Sequence, residues 1–204
     1  FRPLVEVKSD KTVFNVENFI GTSQADTILG DSSTNYLQGM AGNDTITALA
    51  SNDTLDGGAG DDTLNGGAGN DTLNGGADND TILFIDSTVG IQINLDSSVQ
   101  GGIAALRAIG EGTDVLISIE NATGSNSADT IYGDASTNIL DGGVGNDTIF
   151  GLGGIDTILG GADNDTIDGG TGNDSIDAGT GDDIITMLSG DGDDSINGND
   201  GVDI

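Results

Sequence analysis

Residues 57–83 read GGAGDDTLN, GGAGNDTLN, GGADNDTIL: three nine-residue units in direct succession. Each unit opens on small residues, carries Asp at its sixth place and an aliphatic residue at its eighth. Self-similarity at a short fixed period points to a solenoid, in which one small structural unit stacks on the next. Working outward, the register reaches back to Gly21, with units starting at Gly21, Gly30, Gly39, Ala48, Gly57, Gly66 and Gly75. It breaks after Leu83 and restarts at Gly124, with units at Gly124, Gly133, Gly142, Gly151, Gly160, Gly169 and Ala178. Met187 and Leu188 are a two-residue slip, and an eighth unit starts at Ser189. All fifteen units carry Ile or Leu at the eighth place.

The composition narrows the chemistry. Asp and Glu number 35 against 4 Lys and Arg, a formal charge of −31 over 204 residues. Glu6, Glu17, Glu111 and Glu120 are the only Glu, so the acidity is almost all Asp, a short carboxylate suited to a tight turn. Such a charge excludes direct binding to nucleic acid or to an anionic membrane surface. There is no Cys and no His, which removes disulfides, most zinc sites and His-based catalysis. No HExxH or GxSxG motif occurs, and the chain reads as non-enzymatic. No apolar run reaches membrane-spanning length. The chain opens without a signal peptide and stops inside a repeat, so it is expected to be a piece of a longer protein.

A single unit divides into a turn (places one to six) and a short strand (seven to nine). Glycines at places one, two and four permit positive φ. In the strand, place eight points inward and places seven and nine outward. Two units make one eighteen-residue coil. Stacked coils make two narrow parallel sheets around an Ile/Leu ladder, and they set Asp over Asp at roughly 4.8 Å. Rows of carboxylates that close repel, and so thin a core does not outweigh that repulsion and the chain entropy. A hard cation that takes six to eight oxygens in flexible geometry, calcium, answers the problem. Magnesium is too strict in geometry, and softer metals lack Cys or His here.

The units resemble the G-G-x-G-x-D-x-U-x nonapeptides of the RTX (repeats-in-toxin) family, best at 57–62, 66–71, 142–147 and 169–174. The resemblance implies an all-β fold, a right-handed parallel β-roll or β-solenoid, as two calcium-loaded rolls joined by a short strand-rich spacer. It implies calcium between stacked turns and ligands at the sixth place: Asp26, Asp44, Asp53, Asp62, Asp71, Asp80, Asp129, Asp147, Asp156, Asp165, Asp174, Asp183 and Asp194. Turn carbonyls, those of Gly57, Gly66, Gly75, Gly142, Gly160 and Gly169 among them, are expected to complete the shells. Pairing turns one coil apart sets an upper bound of about eleven Ca2+ ions, enough to cut the charge to about −9. Asn35 and Asn138 replace Asp in the second unit of each array, and the first two units of each lack Gly-Gly, so these turns are expected to bind poorly or hold water or no ion. The resemblance also implies export by a one-step (type I) secretion channel, folding outside a calcium-poor cytosol, and a secreted or cell-surface location.

The expected organisation is an N-terminal strand or cap (1–20), a first roll (21–83), a spacer (84–123) and a second roll (124–204) cut short at its end. Residues 16–46 and 119–149 align without gaps and match at 19 of 31 places, so strand plus array occurs twice. Strands are expected at 12–20, 89–95 and 115–119, and 101–112 reads as a loop or short helical turn. Tyr132 and Phe150 stand eighteen apart at the ninth place and are expected to stack on an outer face. That face is either a docking patch or is covered by residues 84–123 or the N-terminal strand. The Asn-Asp-Thr triplets at Asn43, Asn70 and Asn146 match a glycosylation sequon and read as a by-product of the calcium turn. Two functions fit: a structural module of a large surface protein (adhesin or surface-layer type), associating with neighbouring domains or copies, or the C-terminal folding module of an exported toxin or enzyme.

Overall fold

The computed structural model describes residues 5–6, 12–187 and 192–204. Parts of the expected N-terminal cap (1–4 and 7–11) and the start of the eighth unit (189–191) lie outside the described residues. The protein is all-β and separates into two compact units, 1–83 with 111–119 and 84–110 with 120–204. The interval expected as one spacer is therefore shared between them.

In the first unit one sheet runs, in hydrogen-bonded order, Val5–Glu6, Asn18–Ile20, Tyr36–Ala41, Thr54–Ala59, Thr72–Ala77 and Thr113–Ile117. The other runs Thr12–Val16, Thr27–Gly30, Thr45–Thr47, Thr63–Asn65 and Thr81–Leu83. In the second unit the sheets are Arg107–Ile109, Gln92–Asn94, Thr130–Tyr132, Thr148–Phe150, Thr166–Asp168, Ile184–Thr186 and, opposite, Asn121–Thr123, Ile139–Val144, Thr157–Ala162, Ser175–Thr180, Ser195–Asn197. Successive strands pair in parallel at the eighteen-residue step, as in Leu37↔Leu55, Leu55↔Leu73 and Ile131↔Ile149. Each unit is thus a parallel β-solenoid.

The eighth-place residues form the core, fully buried from Ile28 to Ile82 and from Ile131 to Ile176. Ile185 is half-buried and Ile196 exposed, so the ladder opens toward the C-terminus. Four residues outside the arrays extend it: Phe19 pairs with Leu37, Ala122 with Leu140, Ile93 with Ile131 and Leu116 with Leu73. The stretch 12–20 is two strands, one on each sheet, broken at Glu17, and so forms a coil of its own. In 101–112 the expected loop or helical turn contains the strand Arg107–Ile109, antiparallel to Gln92–Asn94.

Alternate strands run six residues, through the third place of the next unit, longer than the expected three. Tyr132 and Phe150 stack with ring centroids 4.8 Å apart. A side chain at Gly101 would strike the Tyr132 hydroxyl, so the 84–110 segment lies over that ring, as one of the two readings held.

Candidate metal centre

Glycine serves two purposes in these turns. Places two and four have positive φ throughout the later units, at Gly58, Gly60, Gly67 and Gly69 and even at non-glycine Met40, Leu49, Ser51 and Leu152. Place-one glycines have no positive φ, contrary to expectation. Their reason is space. A methyl on Gly57 would stand 2.7 Å from the Gly75 carbonyl oxygen and nearer still to Asp62 Oδ2. On Gly142 it would stand 2.6 Å from the Gly160 carbonyl and meet Asp147 Oδ2. The carbonyls of Gly57 and Gly169 face Gly39 and Gly151 in the same way, and Gly66 abuts Asp71 Oδ2. Carboxylate and carbonyl oxygens thus converge on the hollow that the missing side chain leaves. Place-four carbonyls, those of Gly42, Ser51 and Gly154 among them, point at the place-four glycine one coil on.

The sixth-place side chains form continuous files. Each backbone N–H donates to Oδ1 of the Asp one coil later: Asp26 to Asp44 (2.6 Å), Asp44 to Asp62 (2.7 Å), Asp62 to Asp80 (2.9 Å). On the opposite side Asn35 donates to Asp53 and Asp53 to Asp71. In the second unit the files run Asp129, Asp147, Asp165, Asp183 and Asn138, Asp156, Asp174, Asp194. All of these are buried except Asp194, which is half-buried.

The files also hold residues that the repeat register did not mark. Asp114 accepts the Asp71 N–H at 2.9 Å, Gly112 abuts the Gly69 carbonyl and Leu116 pairs with Leu73, so residues 112–117 (GTDVLI) are the latter part of a cryptic unit with Asp114 sixth and Leu116 eighth. Its signal was present as G-x-D-x-U-x from Gly112, but it is separated from the first array and lacks a place-one glycine. Asp203 accepts the Asp183 N–H at 3.2 Å in an incomplete unit from Gly198. At the other end Ile91 takes the sixth place and donates to Asp129 Oδ1, closing that file without a carboxylate.

A second, exposed file runs at the fifth place in the opposite sense. The Asn43 side chain accepts the Asp61 N–H, Asp61 that of Asn79, and Asn70 that of Thr113. Asn146, Asn164 and Asp182 continue it in the second unit. This gives the Asn of the Asn-Asp-Thr triplets a structural duty.

In eight of these carboxylates one oxygen is engaged and the other is not. Oδ2 of Asp44, Asp53, Asp62, Asp71, Asp147, Asp156, Asp165 and Asp183 is buried without a hydrogen-bond partner. Burial pushes the carboxyls of Asp44, Asp53, Asp62 and Asp165 up to about 6, and those of Asp114, Asp147 and Asp156 up to about 7. The accepted backbone hydrogen bond works against that rise, and neighbouring carboxylates add to it. A buried carboxylate oxygen with no partner is costly unless a cation meets it. Among the described residues no three acidic side chains come together closely enough to hold a metal ion by themselves, so backbone carbonyls must supply much of any shell. Carboxylates and carbonyls without nitrogen or sulfur are the donor set of a hard divalent cation, and the residues fit calcium.

A parallel β-solenoid with files of buried Asp and glycine turns is the form of a metal-loaded roll. The chain belongs to the RTX family: the RTX calcium-binding nonapeptide repeat matches residues 20–55, 47–82, 119–149, 150–185 and 186–204. It is a calcium-binding structural module with multiple Ca2+ sites. The cryptic segment at 112–117 falls outside the matched residues. No curated protein matches the chain significantly. Among the described residues no helix is long and apolar enough to cross a membrane.

Proposed function

We propose that the chain is a calcium-dependent folding element in an extracellular or cell-surface protein, a structural ribbon without catalytic activity. The eight buried Oδ2 atoms without a partner carry this reading. The ligands are the sixth-place Asp residues of the later turns, joined by Asp114 and Asp203, with turn carbonyls completing each shell. With a charge of −31 and few apolar residues, the metal-free chain resists compaction. It therefore passes an export channel unfolded and folds where calcium is plentiful. Two such rolls in one chain suit an adhesin or surface-layer scaffold, in contact with neighbouring domains or copies.

Small-angle scattering tests this. In chelator the radius of gyration is expected near the unfolded value for this length, about 50 Å, and in calcium it is expected to fall well below that. An unchanged radius in chelator would refute the reading.

A further inference from the structure

The first coil of each roll is built differently from those that follow. Its four turns are 21–26, 30–35, 124–129 and 133–138, and place two holds Thr22, Asp31, Ser125 or Asp134. In all four that side chain accepts the place-four N–H: Gln24 (3.2 Å), Ser33 (2.7 Å), Ser127 (3.1 Å) and Ser136 (2.7 Å). Its own N–H donates to the sixth-place side chain, Thr22 to Asp26 at 2.7 Å and Asp31 to Asn35 at 3.0 Å, with Ser125 to Asp129 and Asp134 to Asn138 alike. The Thr22 and Ser125 hydroxyls give Asp26 and Asp129 a further donor. None of these place-two or place-four residues has positive φ.

The two Asn complete the pattern. The Asn35 amide nitrogen donates to the Ser33 carbonyl at 2.7 Å and to Asp31 Oδ1 at 3.2 Å. That of Asn138 donates to the Glu120 carbonyl at 2.6 Å. An amide offers two donors where a carboxylate offers none, so it meets turn oxygens as a cation would. No sixth-place oxygen in these four turns is buried without a partner, in contrast to the turns that follow.

We propose that the first coil of each roll takes no calcium, and that the Asn35 and Asn138 amides stand in for the ion there. The coil is a metal-independent template on which the first calcium-holding coil is laid. The inference rests on the calcium reading above and predicts that the four pairings using Asp26, Asn35, Asp129 or Asn138 drop out of the bound of eleven.

The test is an ion count by equilibrium dialysis at saturating calcium, with ion positions from anomalous scattering, on the whole chain and on N35A, N138A, N35D and N138D. No ion is expected beside Asn35 or Asn138. N35A and N138A should keep the full count while lowering the melting temperature of the calcium-loaded chain. At least one of N35D and N138D should raise the count by one. An ion beside either Asn, one ion lost in either Ala variant, or an unchanged count in both Asp variants would overturn the proposal. Binding of no calcium at all would instead overturn the calcium reading itself.

Discussion

The turns GDSSTN (30–35) and GGAGDD (57–62) fill the same six places of the repeat, on opposite sides of one roll, and settle their polar groups in opposite ways. In the first, Asp31, Ser33 and Asn35 satisfy one another through side-chain hydrogen bonds with ordinary backbone angles. In the second, Gly58 and Gly60 take positive φ, and the far oxygen of Asp62 is buried with no protein partner. Hydrogen-bonding side chains close one turn from within. Glycines open the other and leave its oxygens to an outside charge. A repeat of one length can therefore encode both a self-sufficient turn and a metal-requiring one, with places two and four as the difference.

The largest expected effect comes from deleting carboxylates in the second kind of turn. D62A with D71A should raise the calcium concentration at the folding midpoint by tenfold or more, about 1.4 kcal/mol per decade, in a fluorescence or circular dichroism titration. The same titration on D26A should shift the midpoint far less. Equal shifts would erase the contrast between the two turns.

Next comes pH. Seven carboxyls, Asp62 and Asp147 among them, titrate near 6 to 7 when folded, against about 3.9 when unfolded. Between those values the folded metal-free chain binds more protons than the unfolded one, so its stability falls as pH rises through that window. Calcium needs the ionised form, so its folding midpoint should climb as pH drops from 8 to 5. Titrations at three pH values would check both signs.

Smaller effects concern the backbone and the outer file. Leu49 holds a φ of 83° at place two with its side chain 45% exposed. L49G should raise stability by about 1 kcal/mol by removing left-handed strain without emptying the core. Ile155 sits at the fifth place, 62% exposed, where Asn would continue the outer file. I155N should add about 0.5–1 kcal/mol through a new acceptor for the Asn173 N–H, read by thermal melting in calcium.

Much of this was legible in the residues. The invariant aliphatic eighth place fixed the core ladder, and the sixth-place Asp marked the files. The cryptic segment at 112–117 was hidden because a register sought by leading glycines passes over one whose opening places are missing. The use of place one was also misread. Glycine there is chosen for absent volume, which sequence cannot tell from conformational freedom. The fifth-place file was concealed because Asn and Asp beside a sixth-place Asp read as more of the same acidity. How residues 84–119 are shared between the two units depends on pairings such as Leu116↔Leu73, which join residues 43 apart.

The central claim is that buried files of Asp hold these rolls together only with calcium among them. Far-UV circular dichroism of the whole chain, in chelator and then in millimolar calcium, tests it most directly. The account predicts a disordered spectrum that converts cooperatively to β-structure. A β-spectrum of equal strength in chelator would contradict it.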